Sequence, residues 1–185
     1  MNLLYRIIRG MWKAFLKTFY RVKVVNSKNI PEGKALLVGN HTNLLDGPLV
    51  MMSTKRELYF LVKKELHEGK LGFIYKRINT IPVNRGGDTT GAKRITNQKL
   101  KEGNKVVIFP EGTINKTEDV IMKFKKGAVH FALDNNCPIV PPLFKTFNAL
   151  SVAFSSFILL LTGIHSVALK NHLVLAESKY SFLAI

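Results

Sequence analysis

Ala35-Leu36-Leu37-Val38-Gly39-Asn40-His41-Thr42-Asn43-Leu44-Leu45-Asp46 packs a strand, a turn and a helix start into one short stretch. The uninterrupted apolar run at its head reads as a strand buried on both faces, the pattern of a parallel sheet. Gly39 and the polar residues after it end that strand. Asp46 stands where a helix over 47–52 would take its N-cap. Strand, turn and helix make the first half of a βαβ unit.

The same alternation continues outward along the chain. Residues 57–62 (Glu-Leu-Tyr-Phe-Leu-Val) give a second strand, 66–77 a helix, and 78–83 a third strand closed by the turn signal Asn84-Arg85-Gly86-Gly87. A helix over 89–101 ends near Gly103, and the strand 105–109 stops at Pro110. Residues 125–135 read as a helix and 138–143 as a further strand. Strands alternating with helices predict an α/β domain with a mostly parallel central sheet flanked by helices. At 185 residues the chain fits one such domain.

Composition narrows the class. Hydrophobic residues make up 46% of the chain, enough for a packed interior and outside the disordered range. Lys and Arg number 28 against 12 Asp and Glu, a formal charge of +16 that attracts polyanions such as nucleic acid, anionic lipid or an acidic carrier protein. The basic residues are spread along the chain without an aromatic-basic recognition motif, so no nucleic-acid partner is expected. The single cysteine, Cys137, excludes an intrachain disulfide and a cysteine-cluster metal site.

Residues 1–21 form a separate segment. Leu3, Leu4, Ile7, Ile8, Met11, Phe15, Leu16 and Phe19 recur at helical spacing, and the intervening charges are Arg6, Arg9, Lys13 and Lys17, with no acidic residue before Glu32. An amphipathic helix with a purely basic polar face suits the headgroup layer of an anionic membrane. The alternative is a helix that lays its apolar face on the domain. Between Lys145 and Lys170 no residue carries a fixed charge. Its length permits a membrane span, but Asn148, Ser151, Ser155, Ser156, Thr162, Gly163 and His165 dilute it, favouring a buried or interfacial element.

Two groups of polar residues fall just past the carboxyl ends of predicted strands, where parallel sheets bind ligands. In the first, His41 can take a proton from an alcohol, and Asp46 can fix the ring's tautomer and stabilise the imidazolium. The spacing alone is weak evidence, since a capping Asp beside a structural His gives the same pattern. The second is Phe109-Pro110-Glu111-Gly112-Thr113. Here Glu111 can accept hydrogen bonds from a polyol, Gly112 permits close backbone approach and Thr113 offers a hydroxyl. Taken alone it is equally a strand-to-loop turn with an exposed Glu. Arg85 is a candidate phosphate fork. Lys123, Lys125 and Lys126 form a further basic cluster. His67, His130, His165 and His172 show no partner pattern and are read as structural.

Taken together and in order, these motifs resemble the glycerophospholipid acyltransferase superfamily, most nearly the 1-acylglycerol-3-phosphate acyltransferases. Asn40, His41 and Asp46 match the Asn-His-x₄-Asp block. The run 72–77 (Gly-Phe-Ile-Tyr-Lys-Arg) with Ile81-Pro82-Val83-Asn84-Arg85 is similar to the second block. Phe109 to Thr113, with Phe124-Lys125-Lys126-Gly127-Ala128 behind it, matches the third, and Ile139-Val140-Pro141-Pro142-Leu143 the fourth. After Thr113 the chain has Ile114 and Asn115 where the family usually has Arg and Ser.

The resemblance implies acyl transfer from a thioester, on coenzyme A or acyl carrier protein, to the sn-2 hydroxyl of lysophosphatidate. The resemblance runs from about Val22 to Leu143, inside an acyltransferase domain taken as 22–185, and implies His41 as base with Asp46 as its partner. Arg85, Glu111, Gly112 and Thr113 would bind the acceptor, with no metal and no cofactor beyond the acyl-thioester cosubstrate. It further implies a peripheral or monotopic place on the cytoplasmic face of an anionic membrane. Because Ile114 cannot hold a phosphate, a different acceptor or an impaired membrane-bound relative is the alternative.

Overall fold

The protein is described by a computed structural model over residues 2–119, 121–142 and 183–184. Helix α1 (Leu3–Tyr20) is followed by β1 (Lys23–Val24), a single 3₁₀ turn at Ser27–Asn29, β2 (Ala35–Val38), α2 (Asp46–Met52) and β3 (Leu58–Lys63). Then come α3 (Lys64–Glu68), α4 (Gly72–Tyr75), β4 (Thr80–Val83), α5 (Thr90–Lys101), β5 (Lys105–Ile108), α6 (Gly127–Asn135), β6 (Ile139–Val140) and β7 (Leu183–Ala184). Five strands form one sheet in the order β4-β3-β5-β2-β6, and every neighbouring pair is parallel. The expected mostly parallel α/β sheet is therefore present. The strands β1 and β7 pair antiparallel outside it.

Both faces of the sheet are covered, which accounts for the unbroken apolar strands. Ala35 and Leu37 of β2 point with Leu58, Phe60, Val107 and Val140 into a layer shared with α1 and α2. Leu36 of the same strand joins Val106 and Ile108 on the opposite face, against Leu100 of α5 and Ala128 and Phe131 of α6. The period-2 alternation thus sends successive residues into two different cores.

The connections decide where the loops meet. From β2 the chain passes through α2 on one face and lands at β3, beyond β5. From β5 it passes through α6 on the other face and lands at β6, beyond β2. Two adjacent strands thus release their chains toward opposite edges of the sheet, and the outgoing segments pass each other above its carboxyl ends.

Two sequence expectations change. The helix expected over 66–77 is two short helices, α3 and α4, because the chain must reverse quickly to bring β4 beside β3. Gly69 closes α3 with an N–H bond to the Glu65 carbonyl at 2.9 Å. At Gly72 a Cβ atom would stand 2.1 Å from the His67 carbonyl oxygen, so the reversal requires glycine there. The second change concerns Asp46, which is the first residue of α2 rather than its N-cap; Leu45 occupies the cap position without a side-chain bond. Leu143 and the uncharged stretch 145–170 lie outside the described residues.

Helix α1 divides its apolar residues between two directions. Tyr5, Leu16 and Tyr20 are buried in the core, with Ile8, Trp12 and Phe15 packed beside them. The Tyr5 hydroxyl accepts a hydrogen bond from the Leu58 N–H at 3.1 Å, and burial raises its pKa from 10.0 to about 12. Arg9 donates to the Thr54 and Lys55 carbonyls just past α2. Meanwhile Leu3, Ile7 and Met11 stay exposed along one stripe. The reading that α1 packs on the domain holds for one side of the helix only. No helix among the described residues is long and apolar enough to cross a membrane.

At the amino end of β5 the Lys105 side chain is buried, and its ammonium donates to the carbonyls of Glu32 and Gly33 at 2.9 and 2.8 Å. Burial, and after it the charge of Arg56, lowers its pKa.

Candidate active site

The loop leaving β2 is organised around one carboxylate oxygen. Oδ2 of Asp46 accepts hydrogen bonds from the backbone N–H groups of Thr42 and Asn43, both at 2.8 Å, and meets Nδ1 of His41 at 2.9 Å. This explains why Asp46 does not cap its helix: its side chain turns back into the loop. Asn43 tightens the same loop through an Oδ1 bond from the Leu45 N–H. A carboxylate surrounded by N–H donors is an acceptor, so the network assigns the shared proton to Nδ1. The lone pair is left on Nε2, the nitrogen a general base uses. Asp46 is 5% exposed in its side chain and His41 16%, so the pair is shielded while its outer edge is open.

The second segment, leaving β5, wraps the same histidine. The Phe109 ring stacks on the His41 ring with centroids 4.3 Å apart and planes 17° from parallel. Glu111 is 3% exposed, and its Oε1 accepts from the backbone N–H of His41 at 2.9 Å. The other oxygen, Oε2, is buried without a partner among the described residues. The Asn115 N–H donates to the His41 carbonyl at 2.6 Å. The sequence offered Glu111 either as an acceptor for a polyol or as an exposed turn residue; the structure buries it and turns its carboxylate onto the His41 N–H.

Gly112 carries φ +74°, a left-handed conformation that suits glycine. Above it lies Lys125, whose Nζ would stand 2.8 Å from a Cβ at Gly112, and whose backbone N–H bonds the Pro110 carbonyl at 2.9 Å. Thr113 is exposed beside this turn.

Arg85 is placed differently. It follows β4 at the far edge of the sheet, three strand steps from β2, or roughly 14 Å at the usual strand spacing. Burial pulls its guanidinium pKa down, and the nearby charge of Glu65 opposes this.

The structure therefore brings His41, Asp46, Glu111 and Gly112 into one cluster and leaves Arg85 at its margin. Sequence reasoning missed Phe109 and Asn115 as partners of His41. No local signal marks them, since each touches the histidine across some seventy positions of chain. His67, expected to be structural, sits with Nε2 2.8 Å from the Thr80 hydroxyl and stacks on Tyr75.

Comparison with known proteins identifies the family. A family model described as "Acyltransferase" matches residues 21–145. The 1-acyl-sn-glycerol-3-phosphate acyltransferase of Bacillus subtilis is 30% identical over 145 residues, covering 77% of this chain and 71% of that protein. Human 1-acyl-sn-glycerol-3-phosphate acyltransferase beta is 30% identical over 149 residues, covering 77% of this chain and 53% of its own length. Among solved structures, the 1-acyl-sn-glycerophosphate (LPA) acyltransferase of Thermotoga maritima superposes with a TM-score of 0.60 at 27% identity, over 74% of this chain and 56% of that one.

Proposed function

The chain belongs to the acyltransferase family, among relatives of the 1-acyl-sn-glycerol-3-phosphate acyltransferases, and on that premise we propose that it acylates the sn-2 hydroxyl of lysophosphatidate to give phosphatidate. The observation that carries the proposal is the 2.9 Å contact between His41 Nδ1 and Asp46, with Nε2 left as the basic nitrogen. As the acceptor hydroxyl attacks the thioester carbonyl, Nε2 takes its proton. The tetrahedral intermediate then collapses, the C–S bond breaks, and the imidazolium returns the proton to the leaving thiolate. Asp46, held by two backbone N–H groups, stabilises the imidazolium in between. The acyl donor is a thioester of coenzyme A or acyl carrier protein; both are anionic, as the charge of +16 favours.

Two cations serve the acceptor's phosphate from different sides. Lys125 lies over the Gly112 turn, and Arg85 follows β4 at the far edge of the sheet. Lys125 thus supplies positive charge that Ile114 does not. The exposed stripe Leu3, Ile7 and Met11, bordered by the exposed Arg6, Lys13 and Lys17, is the surface offered to an anionic membrane on its cytoplasmic face.

The test is direct. Purified protein given lysophosphatidate and an acyl thioester forms phosphatidate, and His41→Ala cuts the rate by about 10²–10⁴-fold to a small residual. Full activity in that variant would remove His41 from the mechanism. For the membrane surface, replacing Leu3, Ile7 and Met11 together by Gln weakens sedimentation with phosphatidylglycerol vesicles and leaves the folded circular-dichroism spectrum intact. Unchanged sedimentation rejects the stripe as the contact. A second reading, a relative with another acceptor or with impaired catalysis, rests on Ile114. Turnover confined to a different lysophospholipid, or absent from all, decides for it.

A further inference from the structure

Every polar group on the backbone of His41 is held by the segment 109–115, and no other part of the described chain holds it. The carboxylate of Glu111 takes its N–H, the N–H of Asn115 takes its C=O, and Phe109 lies flat against its ring. Glu111 and Asn115 are each 3% exposed, so neither presents its side chain to an arriving substrate.

The Asn115 side chain has its own task. Its Oδ1 accepts from the N–H and the hydroxyl of Thr117 at 2.9 and 2.8 Å, and its Nδ2 donates to the Asp119 carbonyl at 2.7 Å. Those bonds coil 115–119 into a turn that aims the Asn115 N–H at His41. The hydrogen bonds are thus arranged in series: Asn115 shapes the turn, the turn holds the His41 carbonyl, and Glu111 holds the other side of the same residue.

We propose that Glu111 and Asn115 are positioning residues that fix the His41 backbone from both sides, so that Nε2 is set against the acceptor hydroxyl before substrate arrives. Asp46 and the stacked Phe109 orient the ring about its own bonds; the two clamps fix the Cα from which the ring projects. A general base works only within hydrogen-bond reach of the proton it removes, and a displacement of about 1 Å can cost on the order of 100-fold in rate. The inference rests on the proposed acyl transfer with His41 as base.

The experiment measures kcat and KM for the acceptor in Glu111→Ala, Glu111→Gln, Asn115→Leu and Asn115→Ser, well below each variant's melting temperature. Glu111→Ala and Asn115→Leu lower kcat by about 100-fold with KM changed little. Glu111→Gln and Asn115→Ser each keep an oxygen acceptor and restore most of the rate. Each substitution is then repeated with His41→Ala, measuring the residual transfer rate. Groups that act through His41 have no further effect once its imidazole is gone.

A rise in KM with kcat preserved overturns the proposal and returns Glu111 to direct substrate contact. So does an undiminished loss in the His41→Ala background. Should the Ala and Leu variants fail to fold, the Gln and Ser variants decide alone: a raised KM in either rejects the clamp. Absence of turnover by the unmodified protein on every lysophospholipid would instead overturn the proposed function, and the two failures are told apart by that control.

Discussion

The loop at His41 and the turn at Arg85 both leave the carboxyl ends of parallel strands in one sheet, yet they are built in opposite ways. Around His41 the backbone is fixed: its own N–H and C=O, the N–H groups of Thr42 and Asn43, and the imidazole Nδ1 all have named partners. Around Arg85 the turn carries Gly86 at φ +98° and is exposed, and the side-chain bond nearest it is Asp88 with the Thr90 N–H. The difference fits the tasks proposed for the two residues. Proton transfer needs an atom fixed to within a fraction of an ångström, whereas a cation that grips a phosphate can be ordered by the ligand itself.

The comparison is broken most severely on its rigid side. Asp46→Asn keeps the shape but gives the ring an amide where it has a carboxylate, which frees the tautomer and removes the charge facing the imidazolium. We expect kcat to fall by about 10²–10⁴-fold, the range of positioned proton transfer, with acceptor KM nearly unchanged. A steady-state assay across acceptor concentrations reads both.

On the open side the effect is smaller and falls on the other constant. Arg85→Ala raises KM for lysophosphatidate about tenfold or more, as loss of a hydrogen bond to a charged group worth about 1.5–3 kcal/mol requires, and leaves kcat in place. Arg85→Lys recovers part of this, because an ammonium cannot fork. A fall in kcat without a KM change would place Arg85 with the rigid group instead.

The smallest effect on activity comes from a rigid joint far from the chemistry. Tyr5→Phe leaves the Leu58 N–H buried without a partner, costing about 1–3 kcal/mol of stability in urea titration with kcat unaltered. The pH dependence adds a check. Tyr5 titrates near 10 when unfolded and at about 12 when folded, so its stabilisation is complete below pH 10 and is lost as pH rises to about 12. The variant lacks that component of the alkaline decline. Equal decline in both proteins would mean that the hydroxyl is not buried as described.

Which parts could be read in advance follows from separation along the chain. The alternation of short apolar runs and helical stretches announced the parallel sheet because each element's burial is written in its own residues. His41 and Asp46 were legible because a five-residue spacing can close on itself. Their cradle was not: Glu111 looked like an exposed turn residue, and only the crossing of two connections, α2 on one face and α6 on the other, carries it seventy positions back to His41. The broken helix at 69–71 escaped for a related reason. Gly72 announces a close approach only once the neighbouring carbonyl of His67 is in place.

One strand carries a charged group near each of its ends. The ammonium of Lys105 is buried at the amino end of β5, and the carboxyl of Glu111 is buried just beyond its carboxyl end. Sliding β5 lengthwise by a single pleat would drag one of these groups toward the apolar layer, where an unpaired charge costs several kcal/mol. The strand is thus anchored by polar contacts near both ends. Under the proposed mechanism, the placement of Phe109, Glu111 and Asn115 against His41 therefore depends in part on the Lys105 ammonium at the amino end of the same strand.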